Sequence, residues 1–201
     1  MIIVITRPDF FEGEAAKIAQ LLQSGRADLI HIRKPPLPLA DSARVRQSRL
    51  EKLDRLENLD RLAQMERLIQ ALPARLYSRL VLHDHHSLAI KYGLRGVHLN
   101  SRNPEPPAGW SGAVSISCHT LSELSECRRK PYAYMSLSPI FDSISKRGYR
   151  SAFSADDIAA ARSQGLIDER VMALGGITFD KINEIKEMGF GGAMILGDAW
   201  K

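Results

Sequence analysis

Four histidines lie beside residues with which they could share chemistry. His31 precedes Arg33 and Lys34, His83 precedes Asp84, His98 precedes Asn100 and Asn103, and His119 follows Ser117. An imidazole can pass a proton near neutral pH or ligate a divalent transition metal. A guanidinium can hold a carboxylate or phosphate through a forked pair of hydrogen bonds. Ser138-Pro139 leads into Ser143, Ser145 and Lys146, two hydroxyls and an ammonium able to wrap an anion and close over it. Gly175 and Gly176 offer backbone N–H groups just ahead of a helical pattern, an arrangement suited to phosphate. Gly197-Asp198 closes the last apolar run.

The elements that carry these residues alternate. Short apolar runs predict strands at Met1–Thr6, Asp28–Arg33, Arg79–His83, Arg95–Leu99, Ala113–Ser117, Tyr132–Leu137, Arg170–Leu174 and Gly191–Leu196. Amphipathic patterns predict helices at Phe11–Gln23, Asp41–Leu72, His86–Tyr92, Thr120–Arg129, Ser154–Gln164 and Phe179–Met188, with Ser154 and Thr178 as N-caps. Eight strands joined by crossovers favour a closed (β/α)8 TIM-type barrel of the α/β class. The alternative is an open doubly wound sheet, but its glycine-rich turn is missing where Thr6 runs into Arg7-Pro8-Asp9. In a barrel the chemistry gathers at the C-terminal strand ends. The residues named above fall there.

The second helix is unusual. Glu51–Leu68 reads EKLDRL, ENLDRL, AQMERL, with an apolar residue every third position from Leu50 to Leu68. Each step lags the helical repeat by about 60°, so the leucines spiral around the axis. A tandem insert lengthening this helix to about 48 Å is expected, either as a protruding interface or as tolerated excess length.

Composition narrows the function classes. The chain has 201 residues, 28 Lys+Arg against 23 Asp+Glu, and 44% hydrophobic residues, which fits one globular domain over residues 1–201. Acidic and basic residues interleave, so the +5 charge suits a phosphorylated small molecule better than nucleic acid. Two cysteines, Cys118 and Cys127, make no disulfide scaffold. With no apolar run of about 18 residues and no signal-peptide pattern, a cytoplasmic protein with no membrane partner is expected.

Taken together, the segments Asp28–Arg33, Val97–Leu99, Ser117–His119, Ser138–Phe141 with Ser143–Lys146, Ala173–Ile177 and Gly192–Ile195 resemble the family of thiamin-phosphate synthase and the TenI thiazole tautomerase. The resemblance implies a usually dimeric barrel of thiamin biosynthesis. Synthases of this family join a hydroxymethylpyrimidine pyrophosphate to a thiazole phosphate with Mg2+ and release pyrophosphate. Its tautomerases move a proton on a thiazole carboxylate phosphate without metal.

Several positions depart from the synthase pattern. His31 stands for a glutamine, Pro35 for a lysine with Lys34 one place early, His83 for an asparagine, Asn103 for a metal-binding aspartate and Gly197 for a serine. Fewer charges then face a departing pyrophosphate, which favours the tautomerase reading, needing no cofactor. There His119 is the general acid/base, Arg33 holds a carboxylate, Gly175 and Gly176 take the phosphate, and His31 and Ser117 orient the ring. In the alternative synthase, Arg33, Ser143, Ser145 and Lys146 clamp pyrophosphate and Asp84 carries Mg2+, with His83 and Gly197 also lining the site. A Zn2+ hydrolase built on His31, His83, His98 and His119, or a non-catalytic ligand-binding protein, are weaker alternatives. The chain stops straight after strand eight at Trp200-Lys201, so the last helix is expected to be missing. An apolar flank over strands one and eight is then expected to lie exposed and to pair in a homodimer.

Overall fold

A computed structural model describes residues 1–35, 47–142 and 151–201, with the side chains of 47–55, 57 and 58 outside that description. Strands form at β1 (Ile2–Ile5), β2 (Leu29–Ile32), β3 (Leu80–Leu82), β4 (Gly96–Leu99), β5 (Ala113–Cys118), β6 (Tyr134–Leu137), β7 (Val171–Leu174) and β8 (Gly192–Ile195). Each pairs in parallel with the next, and β1 pairs with β8 to close the barrel. Parallel strands buried on both faces explain why these runs are apolar almost throughout.

The pleat sorts the side chains into two populations. Val4, Ile30, Ile32, Leu80, Leu82, Val97, Leu99, Met135, Leu137, Val171, Ala173 and Ile195 face outward into one core shared with the helices. Ile3, Ile5, Leu29, Tyr134, Met172 and Met194 form a separate inner cluster. On β2 to β6 the other residues joined across the interior are polar: His31, His83, His98, Ser115, Ser117 and Ser136.

The helices are α1 (Glu14–Gln23), α2 (Gln47–Gln70), α3 (Ser87–Tyr92), α4 (Leu121–Cys127), α5 (Ala155–Ser163) and α6 (Ile182–Glu187). Ser154 makes a full capping box with Asp157. Thr178 makes no side-chain cap; a 3-10 turn, Phe179–Lys181, precedes α6, and the Phe179 N–H goes instead to Asp198 Oδ2 at 3.1 Å. An aspartate from the β8 loop thus does the work expected of the local threonine.

Helix α2 shows what the period-three spiral does. Leu56 and Leu59 are 55% and 60% exposed, whereas Met65, Leu68 and Ile69 are buried against the barrel. The described part is 24 residues, or about 36 Å. The expected residues 41–46 of this helix lie outside the described residues.

The expected bare flank is not present. Val4, Ala193 and Ile195 are fully buried. A 3-10 turn, Gly197–Trp200, folds back over this side, where Trp200 Nε1 donates to the Ile5 carbonyl at 2.8 Å and the indole meets Phe11 edge-on. Hence the apolar surface from which a homodimer was expected is already covered within the chain. Among the described residues, no helix is long and apolar enough to cross a membrane.

Candidate active site

Three of the four strand-end histidines meet inside the barrel. His31 Nδ1 lies 2.9 Å from His83 Nε2, and His31 Nε2 lies 2.5 Å from the Tyr134 hydroxyl. His98 is held between Ser115 Oγ and Ser117 Oγ, each at 2.8 Å. Burial is the main cause that pushes His31 and His83 well below the usual imidazole value, and it brings His98 down to about 3. All three are therefore neutral at physiological pH. Burial also pushes the Tyr134 hydroxyl up to about 12, so it keeps its proton. A protonated phenol donates to His31 Nε2, and a neutral imidazole then carries its own proton on Nδ1 toward His83.

One nitrogen from each of the three imidazoles falls within 4.8 Å of the others, close enough to test as a metal centre. The rings of His83 and His98 stack at 4.2 Å with 28° between planes. Stacked imidazoles direct their in-plane lone pairs side by side, while a tetrahedral metal needs them to converge. The arrangement suits a neutral hydrogen-bonded layer better. His31 has no exposed surface and both nitrogens engaged, so any influence on a substrate ring passes through its neighbours. Ser117 is half-buried, bonded to His98 and 3.5 Å from Ser136 Oγ.

The mouth above this layer is charged on one side. Asp84, at the end of β3, is buried. Its Oδ1 accepts from Arg102 Nη2 at 3.0 Å, Arg102 Nε at 3.3 Å and Asn103 Nδ2 at 3.3 Å. Arg33, at the end of β2, is near enough to feel both partners: burial and the Arg102 charge lower its pKa, while Asp84 opposes them. Two guanidiniums thus flank one carboxylate. Sequence reasoning missed Arg102; its signal was an arginine between Asn100 and Asn103, a spacing that closes a tight loop.

The Mg2+ that a synthase would require can be tested against these donors. Mg2+ wants a roughly octahedral shell of oxygens and keeps several waters. Asp84 Oδ1 already holds three N–H groups, and Oδ2 has no partner but is sealed from solvent. Asn103 turns its NH2, not its oxygen, toward Asp84 and the His83 carbonyl. Arg102 puts a full positive charge where the ion would sit. The described residues do not fit Mg2+.

The opposite side of the mouth is built on glycines. Gly175 and Gly176 adopt φ of 101° and 63°. A Cβ on Gly175 would lie 2.8 Å from Pro139 Cα, and one on Gly176 would lie 2.3 Å from the Asp142 carbonyl oxygen. Only glycine allows this lip to pack on the β6 loop, where Ile140 and Phe141 donate to the Leu174 and Gly175 carbonyls. Among the described residues, the N–H groups of Gly176 and Ile177 meet no backbone acceptor. Gly197 is exposed beside them, at the end of β8. His119 stands apart from the other histidines: it is exposed, and its Nδ1 lies 3.1 Å from Ser138 Oγ. Ser143, Ser145 and Lys146 lie outside the described residues. Lys34 points away from the mouth, with its ammonium on Glu14 Oε1 and the Arg7 and Asp9 carbonyls at 2.6 to 2.9 Å.

A closed parallel barrel of eight strands with polar groups at its C-terminal rim defines the class: a TIM-type (β/α)8 barrel. The family described as Thiamine monophosphate synthase matches residues 2–197, and the chain belongs to it. A thiamine phosphate pyrophosphorylase structure from Bacteroides thetaiotaomicron superposes with a TM-score of 0.78 at 36% identity, covering 99% of this chain and 84% of that one. The thiamine-phosphate synthase of Serratia proteamaculans is 29% identical over 63% of this chain and 61% of its own length. That of Koribacter versatilis is 27% identical over 64% of this chain and 62% of its own. The matches thus span a little under two thirds of these relatives. A Pyrococcus furiosus thiamine phosphate pyrophosphorylase at 19% identity and TM-score 0.65 shares the fold.

Proposed function

We propose that this chain is a thiamin-phosphate synthase, coupling hydroxymethylpyrimidine pyrophosphate to a thiazole phosphate and releasing pyrophosphate. The observation that carries this reading is the pair of anion-receiving edges on opposite sides of one mouth. Arg33 and Arg102 stand at β2 and β4, and the Gly176–Ile177 N–H groups stand after β7, across the ring. Two phosphorylated substrates need two receivers. Arg33 and Arg102 would hold the pyrophosphate, where fixed positive charge favours a departing anion. The glycine lip with Gly197 would hold the thiazole phosphate, and Ser143, Ser145 and Lys146 would help clamp the pyrophosphate. Asp84 positions Arg102 in this reading instead of carrying Mg2+. Curated relatives bearing the synthase name tip the balance away from the tautomerase expected above.

The tautomerase remains a second reading because of one contact. Ser138 Oγ engages His119 Nδ1 while the residue stays exposed, so the ring is oriented and accessible as a general acid/base requires. Purified protein given both phosphorylated precursors is expected to form thiamin phosphate, read by chromatography. Isomerisation of a thiazole carboxylate phosphate with no coupling product, abolished by His119→Ala, would reverse the assignment.

We further propose one domain over residues 1–201, working in the cytoplasm. Exposed Leu56, Leu59 and Ile90 are what now supports a homodimer. Sedimentation at micromolar concentration is expected to show two chains, and a monomer would remove that proposal.

A further inference from the structure

We infer that Arg102 takes the place of a divalent metal, so that this site binds pyrophosphate-like anions through the Arg102 guanidinium held on Asp84, with Arg33 as a second cation and no ion required. The inference rests on the synthase reading for its substrate, but its physical basis is independent of turnover.

The loop after β4 is built to hold this arginine. Asn100 and Asn103 exchange backbone hydrogen bonds at 3.1 and 3.0 Å. The Asn100 Oδ1 accepts from the Arg102 and Asn103 N–H groups, and both asparagine side chains donate to the His83 carbonyl at 3.0 and 2.9 Å. The loop is thereby pinned to the end of β3, beside Asp84. Arg102 then lies along Asp84, giving it one Nη2 and one Nε hydrogen bond. A guanidinium has five N–H donors in a plane. With two on Asp84, three remain for a ligand, and the side chain is 37% exposed while Asp84 is 8% exposed. The carboxylate is sunk and the cation is displayed.

Charge counting agrees. Arg33 and Arg102 against Asp84 leave one net positive charge at this edge. A divalent ion on two carboxylates, with Arg33 beside it, would leave the same single charge. The guanidinium pair thus matches that net charge without an ion, and its planar donors match phosphoryl oxygens two at a time. Being already in place, it needs no rearrangement when the anion arrives.

The test is calorimetric titration of inorganic pyrophosphate into the purified protein, once in EDTA and once in Mg2+. The inference expects Kd to agree within about 3-fold between the two conditions. Arg102→Ala is expected to weaken binding at least 10-fold, Arg102→Lys less, and Arg102→Glu with Asn103→Asp to bind only with Mg2+. Thermal melts confirm that each variant is folded. Wild-type binding that requires Mg2+, or a folded Arg102→Ala that binds as well as wild type, overturns the inference. Arg102-dependent pyrophosphate binding without any coupling product would defeat the synthase reading alone. Coupling strictly dependent on Mg2+ would defeat this inference alone.

Discussion

Two ion pairs in this barrel have the same chemistry on paper and opposite meanings. Lys34–Glu14 is 2.6 Å long, with both side chains at 0% and 2% exposure. Its ammonium uses all three N–H donors on Glu14 and two carbonyls and lies 4.6 Å from the Phe10 ring centroid. Burial is the leading influence on both groups, pushing the Glu14 carboxyl up and the Lys34 ammonium down against the pull of the pair. Arg102–Asp84 is 3.0 Å long, and its cation keeps donors to spare at the surface. A pair with every donor filled ties the β1–α1 loop to the end of β2. A pair with donors left over presents them to a ligand.

The widest separation between the two should come from Lys34→Met. It strands Glu14 in a sealed site, and breaking one side of such a pair costs about 3–5 kcal/mol. Urea denaturation should show that loss, largely recovered when Glu14→Leu is added; an unchanged midpoint would mean that the pair holds nothing. Acidification gives the next largest effect; it acts mainly on the buried histidines, and on the Lys34–Glu14 pair through the raised Glu14 carboxyl. An imidazole held below its free value of 6.5 binds its proton more readily in the unfolded chain. Stability is thus complete above pH 6.5 and falls as the pH drops toward about 3 for His98. The slope should reach about 1.4 kcal/mol per pH unit for each histidine involved. A denaturation series from pH 7 to 4 checks the slope, and His98→Phe should flatten it. Arg102→Ala should be the mildest, within about 1 kcal/mol by urea denaturation, since its guanidinium is partly in water. A loss as large as that of Lys34→Met would place Arg102 among structural residues.

Much of the fold was legible because parallel strands buried on both faces leave unbroken apolar runs. All eight strands appear within two residues of their expected bounds. The site was legible only in part. Strand ends announced His31, His83 and His98, but spacing along the chain could not show that His119 stays exposed beside Ser138 while His83 and His98 stack in the interior with His31 edge-on to His83. Tyr134 and Ser115 are absent from the sequence expectations, although Ser115 sits two places before Ser117 and Tyr134 four places before Ser138, spacings at which the pleat returns to the same face. Glu14 was unreadable: its role depends on Lys34 curling back across the β1–α1 loop, a contact between distant segments.

The neutral histidine layer bears on how rate measurements will read. Burial holds His31 and His83 well below the ordinary imidazole value and His98 down to about 3. A break near neutrality in a rate-against-pH curve therefore belongs to a substrate phosphate or to a group at the rim, not to these three. The interior of this barrel is silent in that window, so a titration seen there reports on the mouth.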